Sequence, residues 1–504
     1  MKKIFAITLS IIMIFTMSAC SNNIEKHQRL ENENWAEDVK SGINDMLDAY
    51  GKDSKNYNED SYAIFDFDNT CSIFDVEEQL SIYQLNTMSF NITPEELSDV
   101  LFTGLGDKNI DRTDLGYGKG SYQDWVDDIV NAYSKLYDEY GPFTVDGVTE
   151  DVQSKLQLNP YWNEFATKMR AMYDLISDAE GADVAYPWIL YWFSNMTEDD
   201  VYNLAKKSHK TFRNVETEIV HWESPKEIDS KVGVVSYDWT AGIQVTDNIR
   251  ELFSALNDNG IDVWVCSASG IDVIRAGIDE FGLHEYVTGV LAMTNILDDG
   301  FYINKYNYNS GRGYYAKKNG EWEKMKTPEN AQTQGDGKID AIINAIYPDY
   351  NNHGPIAGFM DSTGDFNMCT EFDSLKLVTC FNRANRKVTD GGGLIAEIAM
   401  YEKDTLGYDF YKADKNGDTL FLLQGRDENR FRTLRPSNKT IAFGETNEKL
   451  FRNEDNEAVL NYMIENNMTV ENAINKFAIK TDENNELGFK YGFLDEYEGY
   501  HNIK

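Results

Sequence analysis

Tyr62-Ala63-Ile64-Phe65-Asp66-Phe67-Asp68-Asn69-Thr70 is a short apolar run that breaks into a polar loop carrying two carboxylates. A continuous apolar run of this length, bounded by polar residues, is the pattern of a strand buried on both faces, as in a parallel sheet. Open α/β folds place their ligands beyond the carboxyl ends of such strands, so the loop after Phe65 is the first place to look for chemistry. The pattern recurs at Ile261 to Cys266, which runs into Ser267-Ala268-Ser269-Gly270, and at Pro355 to Met360, which runs into Asp361-Ser362-Thr363-Gly364-Asp365. Leu375 to Cys380 is a further apolar run. Helical patterns lie between them: Thr246 caps a run through Leu256 that Gly260 ends, and another continues to Phe281. A strand-helix alternation from Val287 to Ile346 is interrupted by a Gly- and Tyr-rich hairpin region around Asp298 to Gly320. Strands alternating with helices predict an α/β fold with a doubly wound parallel sheet.

The rest of the chain fits around this core. Residues 21–60 read as a polar tether with one helix between Trp35 and Tyr50, where Ile43, Met46 and Leu47 stand at helical spacing. Residues 61–80 and 232–389 form the two parts of the core, and residues 81–231 an inserted, mainly helical domain. Two helix starts in the insert are explicit: Thr93-Pro94-Glu95-Glu96, with cap, Pro at the first position and Glu at the third, and Thr197-Glu198-Asp199-Asp200. Its many aromatics, among them Trp125, Tyr133, Trp162, Tyr186, Trp188 and Trp192, are expected mostly to pack helices. Residues 390–504 read as a mixed C-terminal extension, in which Asp414-Lys415-Asn416-Gly417-Asp418 lacks the twelfth-position Glu of a calcium loop and is taken as a turn.

Composition excludes several classes. With 504 residues and 41% hydrophobic content the chain builds a real core, and its 47 Lys plus Arg against 85 Asp plus Glu give a net charge of −38. That charge excludes binding to nucleic acid or to an anionic membrane surface, both of which need basic residues. None of the six His stands at zinc-ligand spacing. Four Cys beyond Cys20 are too few for a disulfide framework, and Cys71 and Cys266 read as small buried hydrophobes. At the start, Lys2 and Lys3, an apolar run from Ile4 to Met17 and Ser18-Ala19-Cys20 resemble a bacterial lipoprotein signal over residues 1–20. That resemblance implies export, lipidation of Cys20 and attachment to the cell membrane through the lipid; the alternative is an ordinary secretory signal.

The polar loops together suit phosphoryl transfer. Asp66 and Asp68 can both reach one small site, one carboxylate attacking phosphorus and the other handling the proton of the departing group. Ser267 offers a hydroxyl and a backbone N–H to phosphoryl oxygens, and Lys338, in Gly335-Asp336-Gly337-Lys338, a positive charge at a helix start. Asp361 and Asp365 supply oxygen ligands of the kind magnesium takes.

These residues, in this order, resemble the haloacid dehalogenase superfamily of phosphatases, whose motifs are a strand with DxDx(T/V), a strand ending in Ser or Thr, a Lys at a helix start, and a strand followed by an acidic pair. The match spans roughly residues 62 to 385, with the insert as a cap domain. It implies a magnesium-dependent phosphomonoester hydrolase in which Asp66 is the nucleophile and forms an aspartyl-phosphate, while Asp68 serves as acid and then base. It further implies that Ser267 and Lys338 hold the phosphoryl oxygens, that Asp66, Asp361 and the Asp68 backbone carbonyl ligate Mg2+, and that Asp365 orients Lys338 or a metal-bound water. A narrower resemblance, in Asp68 to Glu78, Tyr83-Gln84-Leu85 and Ser267-Ala268-Ser269, is to exported phosphorylcholine phosphatases. It implies a choline-like leaving group, with Thr70, Glu77 and Glu78 on the substrate side. The alternatives are a broad acid or phosphoserine-type phosphatase, and a non-catalytic surface lipoprotein that binds a small ligand.

Overall fold

The structure, a computed structural model, describes residues 27–306, 314–326, 332–384 and 391–450, together with 461, 464 and 465. The expected signal segment and Cys20 lie outside the described residues. Among those described, no helix is long and apolar enough to cross a membrane.

Nine strands form one sheet: β1 (Tyr62–Phe65), β2 (Asp262–Gly270), β3 (Gly289–Met293), β4 (Tyr314–Lys318), β5 (Glu321–Met325), β6 (Ala357–Met360), β7 (Leu377–Asn382), β8 (Leu420–Asp427) and β9 (Thr433–Leu434). Their order is β5-β4-β3-β2-β1-β6-β7-β8-β9. The six from β3 to β8 are parallel, with Ala63 in register between Val263 and Ala357, while the β4/β5 hairpin and β9 extend the edges antiparallel. The chain first winds outward from β1 through β2 and β3, then returns to β1's other side and winds through β6, β7 and β8. The winding direction therefore reverses at β1, which puts a crevice at its carboxyl end.

The apolar run of β1 is buried on both faces because its side chains alternate between two cores. Ala63 and Phe65 join the larger one, and Tyr62 and Ile64 the other. Phe65 stacks on Phe359 of β6, ring centroids 4.0 Å apart, and meets the edge of Phe253.

Among the described residues, thirteen α-helices accompany the sheet. A first one, α1 (Glu37–Tyr50), precedes β1 and covers the stretch expected from Ile43, Met46 and Leu47. Inserted between β1 and β2 are α2 (Val76–Thr87), α3 (Pro94–Phe102), α4 (Tyr122–Tyr140), α5 (Glu150–Leu156), α6 (Pro160–Glu180), α7 (Ala182–Leu190), α8 (Glu198–Phe212) and, after a hairpin of Glu218–Glu223 with Ser236–Ala241, α9 (Asp247–Asp258). Both expected capping boxes are present, at Thr93 with Glu96 and at Thr197 with Asp200. The insert's aromatics do pack its helices: Phe90 meets Tyr133, Phe165 and Trp192 within one cluster. The fold is thus a doubly wound α/β sheet with a mainly helical insert. After β2 come α10 (Ile271–Glu280), α11 (Asp336–Ala345), α12 (Gly391–Tyr401) and α13 (Phe410–Asn416).

Two expectations are corrected here. The boundary at residue 389 cuts through the core, because β8 belongs to the sheet and α12 packs on it: Leu377 to Asn382 pair in parallel with Leu420 to Gly425. Leu420-Phe421-Leu422-Leu423 is an apolar run of the same kind as β1, and α1 lies against it so closely that a Cβ at Gly42 would stand 2.9 Å from Leu422 Cδ1. The supposed turn at Asp414 to Asp418 is the end of α13, which Gly417 closes in the left-handed conformation, φ 82°.

Candidate active site

The Asp66 N–H donates to Phe359 O at 3.0 Å, so Asp66 is the last residue tied to the sheet before the chain leaves its carboxyl edge. The following loop folds back on itself, with the Cys71 and Ser72 N–H groups both donating to Phe67 O, and two non-glycine residues in it are left-handed, Asn69 and Phe74. Lys338 sits in the first turn of α11, fully buried, and its ammonium donates to Asp66 Oδ1 at 2.8 Å, Asp365 Oδ1 at 2.6 Å and Cys266 O at 2.6 Å. Burial disfavours that ammonium, but the Asp365 and Asp66 carboxylates outweigh it and hold its pKa well above the ordinary lysine value. Lys338 is a fixed cation at the foot of the site.

Carboxylate oxygens of Asp66, Asp361 and Asp365 lie within 4.8 Å of one another, all three residues buried. An all-carboxylate, oxygen-only donor set suits a hard divalent cation such as magnesium. Burial and the charges of Asp365 and Asp361 push the Asp66 pKa well above the carboxylate range against the pull of Lys338, and a cation would reverse that push. The Asp68 side chain stays out of this triad. Its Oδ2 accepts from Ser269 Oγ at 2.6 Å and its Oδ1 from the Val76 N–H at 2.7 Å, while Ser267 Oγ stands 3.5 Å away. Burial, then Asp75 and Asp66, raise its pKa well above the ordinary value, which favours the protonated form of Asp68.

These groups open onto a cavity of about 200 Å³ that Asp66, Asp68, Ser267, Asp361 and Asp365 line together. Of the residues expected on the substrate side, Glu77 lines the cavity, with its Oε1 accepting from the Gly270 N–H at 2.9 Å. Thr70 is buried behind it, its hydroxyl 3.4 Å from Asp361 Oδ1. Glu78 is not brought to the cavity: its Oε1 accepts from Arg170 and from the Tyr237 hydroxyl, both at 3.2 Å. The Asp75 side chain accepts from the Glu78 N–H and caps α2, which fixes the rotation that turns Glu77 inward and Glu78 away.

Several cavity residues were given no role of their own in the sequence. Ser269 follows Ser267 by two positions, a spacing that was there to be used. Asp75 shows the helix-cap pattern, and Arg383 follows the end of β7, where its Nε lies 2.6 Å from Asp361 Oδ2. Tyr173 and Tyr186, in the cap, carried no signal beyond packing.

Burial pushes Glu77 up to about 8 and Asp75 up to about 6. A carboxyl protonated in the fold but ionised when unfolded costs stability as pH climbs from its unfolded to its folded value. Glu77→Gln, whose amide oxygen can still accept from Gly270, is therefore expected to lose less stability than the wild type between pH 5 and pH 8, by at most about 1.4 kcal/mol per pH unit. Urea unfolding at the two pH values measures it; parallel losses would show that Glu77 is already ionised in the fold.

No protein-family model and no curated protein matches this chain. Among solved structures, it is similar to two proteins of undetermined function and one nucleotidase. A conserved protein from Anaerococcus prevotii DSM 20548 is 27% identical, with a TM-score of 0.65 over 83% of this chain and 99% of that one. A protein from Bordetella pertussis Tohama I, 11% identical over 72% of this chain and 97% of that one, reaches a TM-score of 0.29. The third, a cytosolic 5'-nucleotidase IIIB bound to cytidine, is 13% identical over 68% of this chain and 77% of that one, at a TM-score of 0.26. The last two scores are too low to carry an argument, and the likeness to the Anaerococcus protein concerns architecture.

Proposed function

We propose that this protein is a phosphomonoester hydrolase that works through an aspartyl-phosphate on Asp66. The observation that supports this best is the Lys338 ammonium lying between Asp66 and Asp365 at the foot of a cavity that Asp68 also lines, its carboxyl biased toward the protonated form by burial. Asp66 Oδ attacks phosphorus, the P–O bond to the alcohol breaks, and Asp68 gives its proton to the departing oxygen. In the second half-reaction the deprotonated Asp68 takes a proton from water as that water attacks phosphorus, and the Asp66 carboxylate is released. Ser267 and Lys338 bind the phosphoryl oxygens and offset the charge that builds on them. A non-catalytic binding protein has no use for an acid two residues beyond the nucleophile.

The cavity lining carries six carboxyl groups, those of Asp66, Asp68, Asp75, Glu77, Asp361 and Asp365, against Arg383, with Lys338 beneath. An anionic phosphate enters such a site only with a divalent cation, and Asp66, Asp361 and Asp365 are the residues that would hold magnesium; when bound it offsets phosphate charge. On the leaving-group side, Tyr173 and Tyr186 with Asp75 and Glu77 suit an alcohol bearing a fixed cation, which supports phosphorylcholine over phosphoserine.

Hydrolysis of p-nitrophenyl phosphate is expected to stop in excess chelator and to return with magnesium; undiminished turnover in chelator would remove the metal from the account. A panel of phosphorylcholine, phosphoethanolamine and phosphoserine should favour the first by kcat/KM. Equal values would remove the choline reading and leave the phosphatase standing.

A further inference from the structure

The catalytic loop is held from a part of the chain outside the motif set. Arg426, on β8, is buried, at 2% exposure, and its guanidinium reaches under the loop after β1. Its Nη1 donates to Asn69 O at 2.9 Å and its Nη2 to Asn69 Oδ1 at 3.0 Å, a two-pronged grip on the residue directly after Asp68. The same guanidinium lies over the Phe74 ring, 6.0 Å from its centroid. Asn69, at φ 64°, and Phe74, at φ 71°, are the two left-handed non-glycine residues of this loop; Arg426 bonds the first and lies over the ring of the second. A bulky aromatic residue in that conformation persists only where its surroundings over-determine it.

Glu428, two residues on and also buried, fixes the arginine. Its Oε1 accepts from Arg426 Nε at 2.9 Å and stands 2.8 Å from Nη2. That oxygen also accepts from the Ala384 N–H at 3.0 Å, next to Arg383, which lies on Asp361. One buried ion pair at the end of β8 thus ties the loop bearing Asp66 and Asp68 to the segment bearing Arg383.

We propose that Arg426 is a positioning residue for the reaction: by gripping Asn69 it sets where the Asp68 carboxyl stands over the cavity, so the sheet strand supplied by the C-terminal part of the chain completes the active site. The reaction itself rests on the phosphatase reading above. The fork geometry is what matters, because a lysine keeps the charge opposite Glu428 but cannot hold the carbonyl and the amide oxygen of Asn69 together.

The test uses Arg426→Lys and Asn69→Ala, the second probing the same contact without disturbing the buried Arg426–Glu428 pair. On p-nitrophenyl phosphate both are expected to lower kcat by about tenfold to a hundredfold, the scale of a misplaced catalytic group, with KM changed by less than about twofold. Amide exchange in residues 66–75 is expected to speed up in both while the other strands of the sheet keep their protection. Wild-type kcat in both variants, a rise in KM alone, or unchanged exchange in residues 66–75 would overturn the proposal. If Arg426→Lys does not fold, Asn69→Ala decides by the same three readings. A wild type that hydrolyses no phosphomonoester would instead remove the phosphatase reading, and the exchange of residues 66–75 would then decide alone whether Arg426 holds the loop.

Discussion

Asp66→Asn is expected to fold normally and to hydrolyse phosphomonoesters at less than roughly one per cent of the wild-type rate. The amide keeps the shape of the side chain, and its oxygen can still accept from Lys338, which in the wild type donates to Asp66 Oδ1 at 2.8 Å. What it loses is the oxygen charge that attacks phosphorus in the proposed reaction, and one oxygen donor of the carboxylate triad. Burial already presses Asp66 toward its neutral form, so a neutral amide costs the fold little. Circular dichroism and urea unfolding establish the fold, and turnover of p-nitrophenyl phosphate establishes the loss. Activity above that level would mean that another group attacks phosphorus.

Lys338→Met is expected to damage both stability and activity. The methionine fills most of the space, but it leaves Asp66 and Asp365 facing each other in a buried site without their shared cation, and leaves Cys266 O without its donor. Removing one partner of a buried ion pair costs about 3–5 kcal/mol, and here two carboxylates lose the same partner. The sign of the pH dependence follows from Asp66, which burial already holds above the carboxylate range: without Lys338 it is pushed up further, it takes a proton as pH falls, and the stability deficit is smaller at pH 5 than at pH 8. Turnover is expected to vanish at either pH, because the phosphoryl oxygens lose their fixed positive charge. A loss of under about 1 kcal/mol in urea unfolding would show that the ion pair only balances its own desolvation.

The parts of the site that lie directly at strand ends were legible in the sequence. An apolar run buried on both faces has to be followed by something polar, and Asp66, Ser267 and Asp361 are those polar residues. Lys338 was different, since nothing local distinguishes it from a surface lysine, and only its place in the order of motifs marked it. Glu77 and Glu78 show where a sequence stops being informative. Adjacent helix positions point about a quarter-turn apart, so only one of the two can face the cavity, and which one does so depends on how the Asp75 cap sets the rotation of α2. The contribution of β8 was missed for another reason. Its apolar run is followed by Gln424-Gly425-Arg426, which carries no acid or hydroxyl, so it resembled no catalytic strand end although it lies parallel in the same sheet.

The central claim is that Asp66 itself becomes phosphorylated, and trapping that acyl phosphate tests it most directly. With p-nitrophenyl phosphate the leaving group needs no proton, so Asp68→Asn should still allow attack by Asp66 but slow the attack of water that follows. The phosphorylated form should then accumulate on rapid acid quenching. Borohydride converts an aspartyl-phosphate to homoserine, and peptide mass spectrometry should find homoserine at position 66 in the Asp68→Asn protein and nowhere else. Continued release of nitrophenol with position 66 unmodified, in the wild type and in Asp68→Asn alike, would contradict the account.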